Sequence, residues 1–266
     1  MELITSPQNP RVKLAVKLRD AKGRAQQGRI IIDGCREVNR ALVAGVRVVE
    51  AFVCQELDNR HALHTLVRLL ETQQVPLFGI SRAVLERLAF GNRAEGVIAV
   101  AEPPERSLAD LVLPPVPLVA VLEAVEKPGN VGAVLRSADA AGVSAVIVTD
   151  PATDLYNPNC IRASLGTVFS VPVCVATSQQ ALDWLRLQQL TVYAARLDNA
   201  TDYRQVRLAP RSAVVLGSEV AGLSQRWRAA DVVGLKLPML GVADSLNISA
   251  TAAVLFYEAL RQRTST

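Results

Sequence analysis

Three short polar stretches in the C-terminal half of the chain carry the residue types that bind and react. The first, Glu126-Lys127-Pro128-Gly129-Asn130-Val131-Gly132, follows an apolar run and leads into a helical pattern that carries Arg136 and stops at Gly142. Pro128 and Gly129 suit a turn, Asn130 suits a helix cap, and Arg136 would stand about a turn and a half into the helix. The second, Leu216-Gly217-Ser218-Glu219-Val220-Ala221-Gly222-Leu223-Ser224, sets the Glu219 carboxylate beside two glycines that let backbone approach a ligand closely. The third runs from Leu237 to Asn247 and ends in Ser245-Leu246-Asn247, a polar start to the last helix. Taken singly, each stretch reads as well as turn glycines, helix caps or a solvated arginine. All three follow strands of one domain, however, and an α/β sheet gathers its ligands at the carboxyl ends of its strands.

What is missing removes several chemistries. There is no G-x-G-x-x-G or Walker loop for an ordinary nucleotide site, and no G-x-S-x-G elbow. The only histidines, His61 and His64, lie outside the C-terminal half, so a Ser-His-Asp triad cannot be assembled there. Their i, i+3 spacing fits a solvated helix face, and no third ligand type clusters near them, so no metal site is expected. Cys35, Cys54, Cys160 and Cys174 are widely spaced, with no C-x-x-C pair, and are expected to be reduced and buried.

The elements that must position these stretches follow from composition and pattern. The chain of 266 residues is 50% hydrophobic but only 4% aromatic, a mixture of Ala, Val, Leu and Ile that suits parallel α/β layers. Five prolines fall within residues 102–117, and such density resists both helix and central strand, so this segment reads as a linker. Before it, apolar runs at Arg29–Asp33, Val48–Val53, Val75–Phe78 and Val97–Ala101 alternate with helical patterns at Cys35–Ala44, Arg60–Glu71 and Arg82–Leu88, giving a small α/β domain over residues 1–101. After it, strands are predicted at Leu118–Leu122, Ala145–Thr149, Pro172–Val175, Val192–Ala195, Ala213–Leu216 and Val232–Leu237, with a last helix from about Leu246 to Arg261. Residues 118–266 therefore read as a second α/β domain with a mostly parallel sheet.

Charge is uneven along the chain. Residues 1–30 hold Arg11, Lys13, Lys17, Arg19, Lys22, Arg24 and Arg29 against Glu2 and Asp20, a net of +5, whereas the whole chain carries +4, leaving about −1 for the remaining 236 residues. A basic arm of this kind attracts phosphate backbones, although a solvated amphipathic helix would show the same charges. No apolar run approaches the roughly eighteen residues that span a bilayer, and the start lacks the order of a signal peptide, so a cytoplasmic protein with no membrane partner is expected.

In their order and spacing the three stretches resemble the SpoU (TrmH-like) family of RNA ribose methyltransferases. Asn130-Val131-Gly132 with Arg136 is similar to its first motif, Leu216-Gly217-Ser218-Glu219 with Gly222-Leu223 to its second, and Leu237-Pro238-Met239 through Ser245-Leu246-Asn247 to its third. Residues 1–101, with Thr5-Ser6-Pro7-Gln8-Asn9-Pro10 and the basic helix, resemble the ribosomal-protein-like substrate-binding domain of one branch. Ser218 stands where Asn is frequent, and Asp33-Gly34 where Glu-Gly is common. The resemblance implies a SPOUT-type α/β domain with a deep trefoil knot, which sequence reasoning alone would exclude because knots are so rare. It implies S-adenosylmethionine as cofactor, in a pocket lined by Leu216, Gly217, Leu237, Met239 and Leu246. It implies a homodimer that methylates a ribose 2'-hydroxyl in RNA, ribosomal RNA ahead of transfer RNA, gripped through Arg11, Lys13, Lys17 and Arg24. Arg136 would be the catalytic residue, with Asn130, Ser245 and Asn247 holding it or the ribose, and with Glu219 either paired to Arg136 or touching substrate. A guanidinium holds its proton throughout the neutral range, which favours an orienting Arg136 over a general base. The competing readings are a non-catalytic RNA-binding protein and base methylation by another knotted family.

Overall fold

The computed structural model describes residues 1–57, 61–89 and 95–264. In chain order, residues 1–104 form β1 (Glu2–Ile4), α1 (Pro10–Lys17), α2 (Ala21–Gln27), β2 (Ile30–Asp33), α3 (Cys35–Val43), β3 (Val48–Cys54), α4 (His61–Thr72), β4 (Leu77–Ile80), α5 (Arg82–Leu88) and β5 (Val97–Ala101). Then come β6 (Leu118–Glu123), α6 (Pro128–Ala140), β7 (Ala145–Thr149), the short α7 (Pro158–Ala163) and α8 (Thr167–Ser170), and β8 (Val173–Ala176). The remainder is α9 (Ser178–Leu187), β9 (Thr191–Ala195), β10 (Ala200–Asp202), β11 (Ser212–Leu216), β12 (Val232–Lys236) and α10 (Ile248–Thr264). The strands β1 and β10 escape sequence reasoning because three residues are too few to display a period.

The first compact unit comprises residues 1–104 with 156–170. Its sheet has the order β1-β4-β3-β5-β2, with β4 parallel to both neighbours and β5 antiparallel to both of its own. Asn9 caps α1 by accepting from the Arg11 amide, and Pro10 starts the helix with its fixed φ. Val12 and Ala15 face the core with Leu18, Ile31, Phe52 and Leu85, while Lys13 and Lys17 face water.

The arginines of the basic arm are spent inside this unit. Arg11 pairs with Glu50 and lies over the Phe78 ring at 4.2 Å, and Arg19 forks onto Asp33 at 2.5 and 2.6 Å. Arg29 pairs with Glu102 at 2.8 Å. Arg24, expected to touch RNA, is 5% exposed and donates to the carbonyls of Leu18 and Arg19 at 2.9 and 3.0 Å. That expectation is corrected: the guanidinium ties α2 to the end of α1, because those carbonyls lack partners of their own at a helix end. Of the arm, Lys13, Lys17 and Lys22 remain exposed without an ion pair among the described residues.

The segment 156–170 lies between β7 and β8 in sequence yet packs with the first unit. Helix α8 rests on α3 and α7 on β2, Arg40 donates to the Leu165 carbonyl at 2.8 Å, and the Tyr156 hydroxyl donates to the Pro104 carbonyl. Gly166 is left-handed at φ +82°, and a Cβ there would stand 3.1 Å from the Glu37 Cα. A cut at residue 101 would therefore strip α7 and α8 of the partners they pack on.

The second unit comprises residues 105–155 and those from Val171 onward. Its sheet is entirely parallel, in the order β10-β12-β9-β11-β6-β7-β8. A parallel sheet covered on both faces demands strands that are apolar throughout rather than alternating, and Leu118–Leu122 and Ser212–Leu216 are buried at every position. Residues 105–117 of the proline-rich stretch belong to this unit: Ser107 and Asp110 box the start of a single 3-10 turn, and Leu111 is buried against the sheet with Leu108 and Leu113 beside it. Helix α10 packs on α6, and its end is held by Arg263, which donates to the carbonyls of Pro117, Leu208 and Pro210 at 3.0 to 3.2 Å.

At the last residue of β6 the apolar strand gives way to a buried carboxylate, Glu123. Four donors converge on it: the Ser178 hydroxyl at 2.6 Å, the Ser224 amide at 2.7 Å, and the Ser224 hydroxyl and Trp227 indole at 2.8 Å each. It thus clamps the segment after β11 and the start of α9 to β6. Glu123→Gln replaces one accepting oxygen by a donor and should lower stability by about 2 kcal/mol, the scale of a lost hydrogen bond to a carboxylate. Urea unfolding would show the shift, and an unchanged midpoint would mean the network carries no net stability.

Candidate active site

The loops that leave the carboxyl ends of β6, β9, β11 and β12 meet at one edge of the second sheet. Three of them surround a cavity of about 440 Å³: Ala195–Asp198 after β9, Leu216–Leu223 after β11, and Lys236–Leu237 with Met239 and Asp244–Leu246 after β12. This volume is within the range of small-molecule and cofactor sites. Leu216, Gly217, Leu237, Met239 and Leu246, the expected cofactor residues, all line it, with Trp227 and Ile248 adding apolar wall. Sequence reading missed the loop after β9, Arg196 included. The signal was present, since it too follows a strand of the same sheet, but Arg196-Leu197-Asp198 contains no glycine or cap to draw attention.

Beside the cavity, one carboxylate joins three loops. Glu219, after β11, accepts from the Lys127 ammonium at 3.1 Å and the Asn130 amide at 3.0 Å, at the cap and in the first turn of α6, and from the Asn247 amide on the β12 loop. The Asn247 amide also lies 3.4 Å from the Asn130 side-chain oxygen. The Lys127 ammonium, followed by the Lys127 charge, the Ile248 amide at the start of α10 and the Asn130 amide, holds the Glu219 carboxyl below the ordinary glutamate range despite some opposing desolvation. Asn247 caps α10, its oxygen accepting from the Ser249 amide at 2.9 Å and the Ser249 hydroxyl at 2.6 Å.

Asn130, expected to cap α6, instead occupies its third position. Lys127 is the cap residue and Pro128 starts the helix, which frees the Asn130 amide to reach Glu219. Arg136 stands apart: it is exposed and has no hydrogen-bond or ion-pair partner among the described residues, so Glu219 does not pair with it within one chain. Ser245 lines the cavity and is exposed to solvent, with no bond to Arg136.

The β11 loop closes on itself. The Ser218 hydroxyl accepts from the amides of Val220 and Ala221 at 3.2 and 3.0 Å, and the Gly222 amide donates to the Ser218 carbonyl. A Cβ on Gly217 would lie 2.4 Å from the Gly222 carbonyl, so the turn itself requires glycine at this position of the cavity wall. Ser218 performs a short-range turn role through its hydroxyl.

No disulfide joins the cysteines among the described residues; Cys54, Cys160 and Cys174 are buried as expected, Cys35 is only half-buried, and burial pushes the Cys174 thiol up to about 11. Among the described residues no group of three or more His, Cys, Asp or Glu side chains is arranged to hold a metal ion.

Comparison with known proteins agrees with this layout. Residues 117–257 match the model of the SpoU rRNA Methylase family, and residues 9–99 match the MRM3-like substrate binding domain. The chain is 29% identical over 257 residues to the 23S rRNA (guanosine(2553)-2'-O)-methyltransferase RlmP of Bacillus subtilis, covering 97% of this chain and 98% of that protein. A crystal structure of an RNA 2'-O ribose methyltransferase superposes with a TM-score of 0.86 at 41% identity, covering 98% of this chain and 99% of that one. The SpoU methyltransferase AviRb of Streptomyces viridochromogenes, solved in complex with AdoMet, superposes with a TM-score of 0.88 at 27% identity over 97% of this chain and 99% of that one. A matched family model that spans more than half of the chain, on a parallel sheet whose loops converge as described, makes this protein a member of the SpoU rRNA methylase family.

Proposed function

We propose that this chain methylates a ribose 2'-hydroxyl of ribosomal RNA, with S-adenosylmethionine as the methyl donor. The observation that carries the reading is the joining of Asn130, Glu219 and Asn247 from three separate loops beside the 440 Å³ cavity at the strand ends. The cavity suits the cofactor in chemistry as well as size, since apolar Leu216, Trp227 and Ile248 offer a surface for a purine while the loop backbones offer polar groups.

The cofactor supplies an electrophilic methyl group, and the ribose oxygen must be held in line with it and lose its proton. Positioning and electrostatics then dominate. The Glu219 cluster fixes the relative places of the three loops, and Asn130 and Asn247 present amides where a ribose would lie. Arg136, exposed and unpaired within one chain, serves a site completed by a second copy, where its guanidinium orients an RNA phosphate or steadies the forming alkoxide. The homodimer belongs to this reading, supported by the half-exposed Tyr257 and the partly exposed Val254 on α10, the helix that packs on α6. So does the deep trefoil knot: β11 lies between β6 and β9, and β12 between β9 and β10, so late strands enter places between earlier ones. No helix among the described residues is long and apolar enough to cross a membrane, and the reading places the protein in the cytoplasm with its RNA.

The exposed lysines of α1 and α2 form the RNA grip of the first unit. Lys13 and Lys17 share a face at i, i+4, and Lys22 stands on the next helix.

The function is tested by mapping 2'-O-methylation across ribosomal and transfer RNA from a deletion strain, and by restoring it with the purified protein. A missing ribose methyl in ribosomal RNA is expected; an unchanged map together with no cofactor binding by calorimetry favours a non-catalytic RNA-binding protein. Arg136→Ala should lower turnover by about a hundredfold or more while leaving cofactor affinity within about twofold, because a group that acts on the transition state affects kcat before ground-state binding. Near-normal turnover would remove Arg136 from the mechanism. Changing Lys13, Lys17 and Lys22 together to Ala should weaken RNA binding and flatten its log–log salt dependence by about one unit, or somewhat less, per lost phosphate contact. Arg24→Ala should instead lower the unfolding midpoint and leave the salt slope alone, and a loss of slope in that variant would restore Arg24 to the RNA face.

A further inference from the structure

Arg196 is the first residue beyond β9, and its position is set by the backbone. Its amide donates to the Leu235 carbonyl of β12 at 3.0 Å, so the side chain starts from the strand-end level of the sheet and lines the cavity. Its Nε is buried and has no hydrogen-bond partner among the described residues. The carboxylate two residues along, Asp198, is engaged by Arg228 at 3.1 Å. The neighbouring strand makes room for the guanidinium stem: a Cβ on Gly234 would stand 2.7 Å from the Arg196 Nε and 2.4 Å from the Asn199 carbonyl. The Nε is packed against Gly234 and closed off from the cavity, whereas the rest of the guanidinium has no ion pair among the described residues and belongs to a side chain that lines the cavity, where it can meet a ligand that brings an acceptor.

S-adenosylmethionine has one anionic group, the carboxylate at its amino-acid end. Its sulfonium and ammonium are cationic and its adenosine is neutral, so an unpaired guanidinium attracts one end of the molecule alone. A planar fork of donors also matches a carboxylate in shape, which a lysine does not. Resting on the cofactor assignment above, we propose that Arg196 holds the carboxylate of S-adenosylmethionine and thereby sets which end of the cavity receives the amino-acid portion. The apolar wall of Leu216, Trp227 and Ile248 is then left for the base.

Calorimetry on the full-length protein separates this from other roles. The probes are S-adenosylmethionine and decarboxylated S-adenosylmethionine, which lacks the carboxylate but keeps both cationic centres. Wild-type protein should bind the decarboxylated compound at least about tenfold more weakly, the scale of one charge-assisted hydrogen bond. Arg196→Ala should lose about tenfold to a hundredfold for S-adenosylmethionine and less than about threefold for the decarboxylated compound, so that the two affinities converge. Arg196→Lys should recover part of the loss, because it keeps the charge without the fork.

An equal loss for both compounds, or a fall in melting temperature that accounts for the loss, would make Arg196 a structural residue and overturn the proposal. Retained cofactor affinity with weakened RNA binding would overturn it in favour of a phosphate contact. Failure of wild-type protein to bind S-adenosylmethionine at all would overturn the cofactor assignment itself, a result distinct from a selective failure of Arg196.

Discussion

The Glu219 carboxylate draws together loops that no strand pairing joins. It accepts from side chains that follow β6 and precede α10, while itself following β11, so one acceptor spans positions 92 residues apart on one side and 28 on the other. An ionised carboxylate suits this task because its two oxygens accept several donors at once, and because the start of α10 presents a further backbone amide to it. The strands beneath supply the rigidity. Fully buried β6 and β11 pair in register from Leu118–Ser212 to Leu122–Leu216, so their loop origins are held at one level. Glu123 adds a second clamp one residue beyond the apolar run, through Ser224 and Trp227, at the far end of the loop that carries Glu219. The cavity wall is thus fixed from both ends, and the loop between turns tightly on Ser218 and two glycines.

The same separation of structural and functional charge runs through the first unit. Composition shows a basic arm of net +5, but the fold divides it. Arginines, with planar forks able to meet carboxylates and carbonyls together, are used on Glu50, Asp33, Glu102 and helix-end carbonyls. Lysines, compact and strongly hydrated, are left in water. The charge available to a polyanion is therefore carried by fewer residues than the sequence suggests, and those are the ones whose phosphate contacts would be read in a salt titration.

Much of the fold was legible in the linear chain because parallel strands buried on both faces leave near-continuous apolar runs, and the six strands expected in the second domain coincide with β6, β7, β8, β9, β11 and β12 to within a residue or two. The polar stretches that follow them stood out for the same reason, as interruptions in that pattern. What escaped were features whose partners lie far away in sequence. The segment 156–170 has ordinary helical composition, and only its contacts with α3 and β2 assign it to the first unit. Arg24 is indistinguishable from Lys22 by charge, and only burial reveals that one is internal and the other is not.

By itself, then, the sequence determined which residue types stand after which strands, the excess of positive charge near the N-terminus, and the family through its three ordered motifs. Tertiary structure decided which of those groups meet. The pairing of Glu219 with Lys127, Asn130 and Asn247 rather than Arg136, and the unpartnered Nε of Arg196 above Gly234, depend on strand order. Local periodicity does not encode the order β12-β9-β11-β6, because it is set by long-range packing of apolar faces that look alike in sequence.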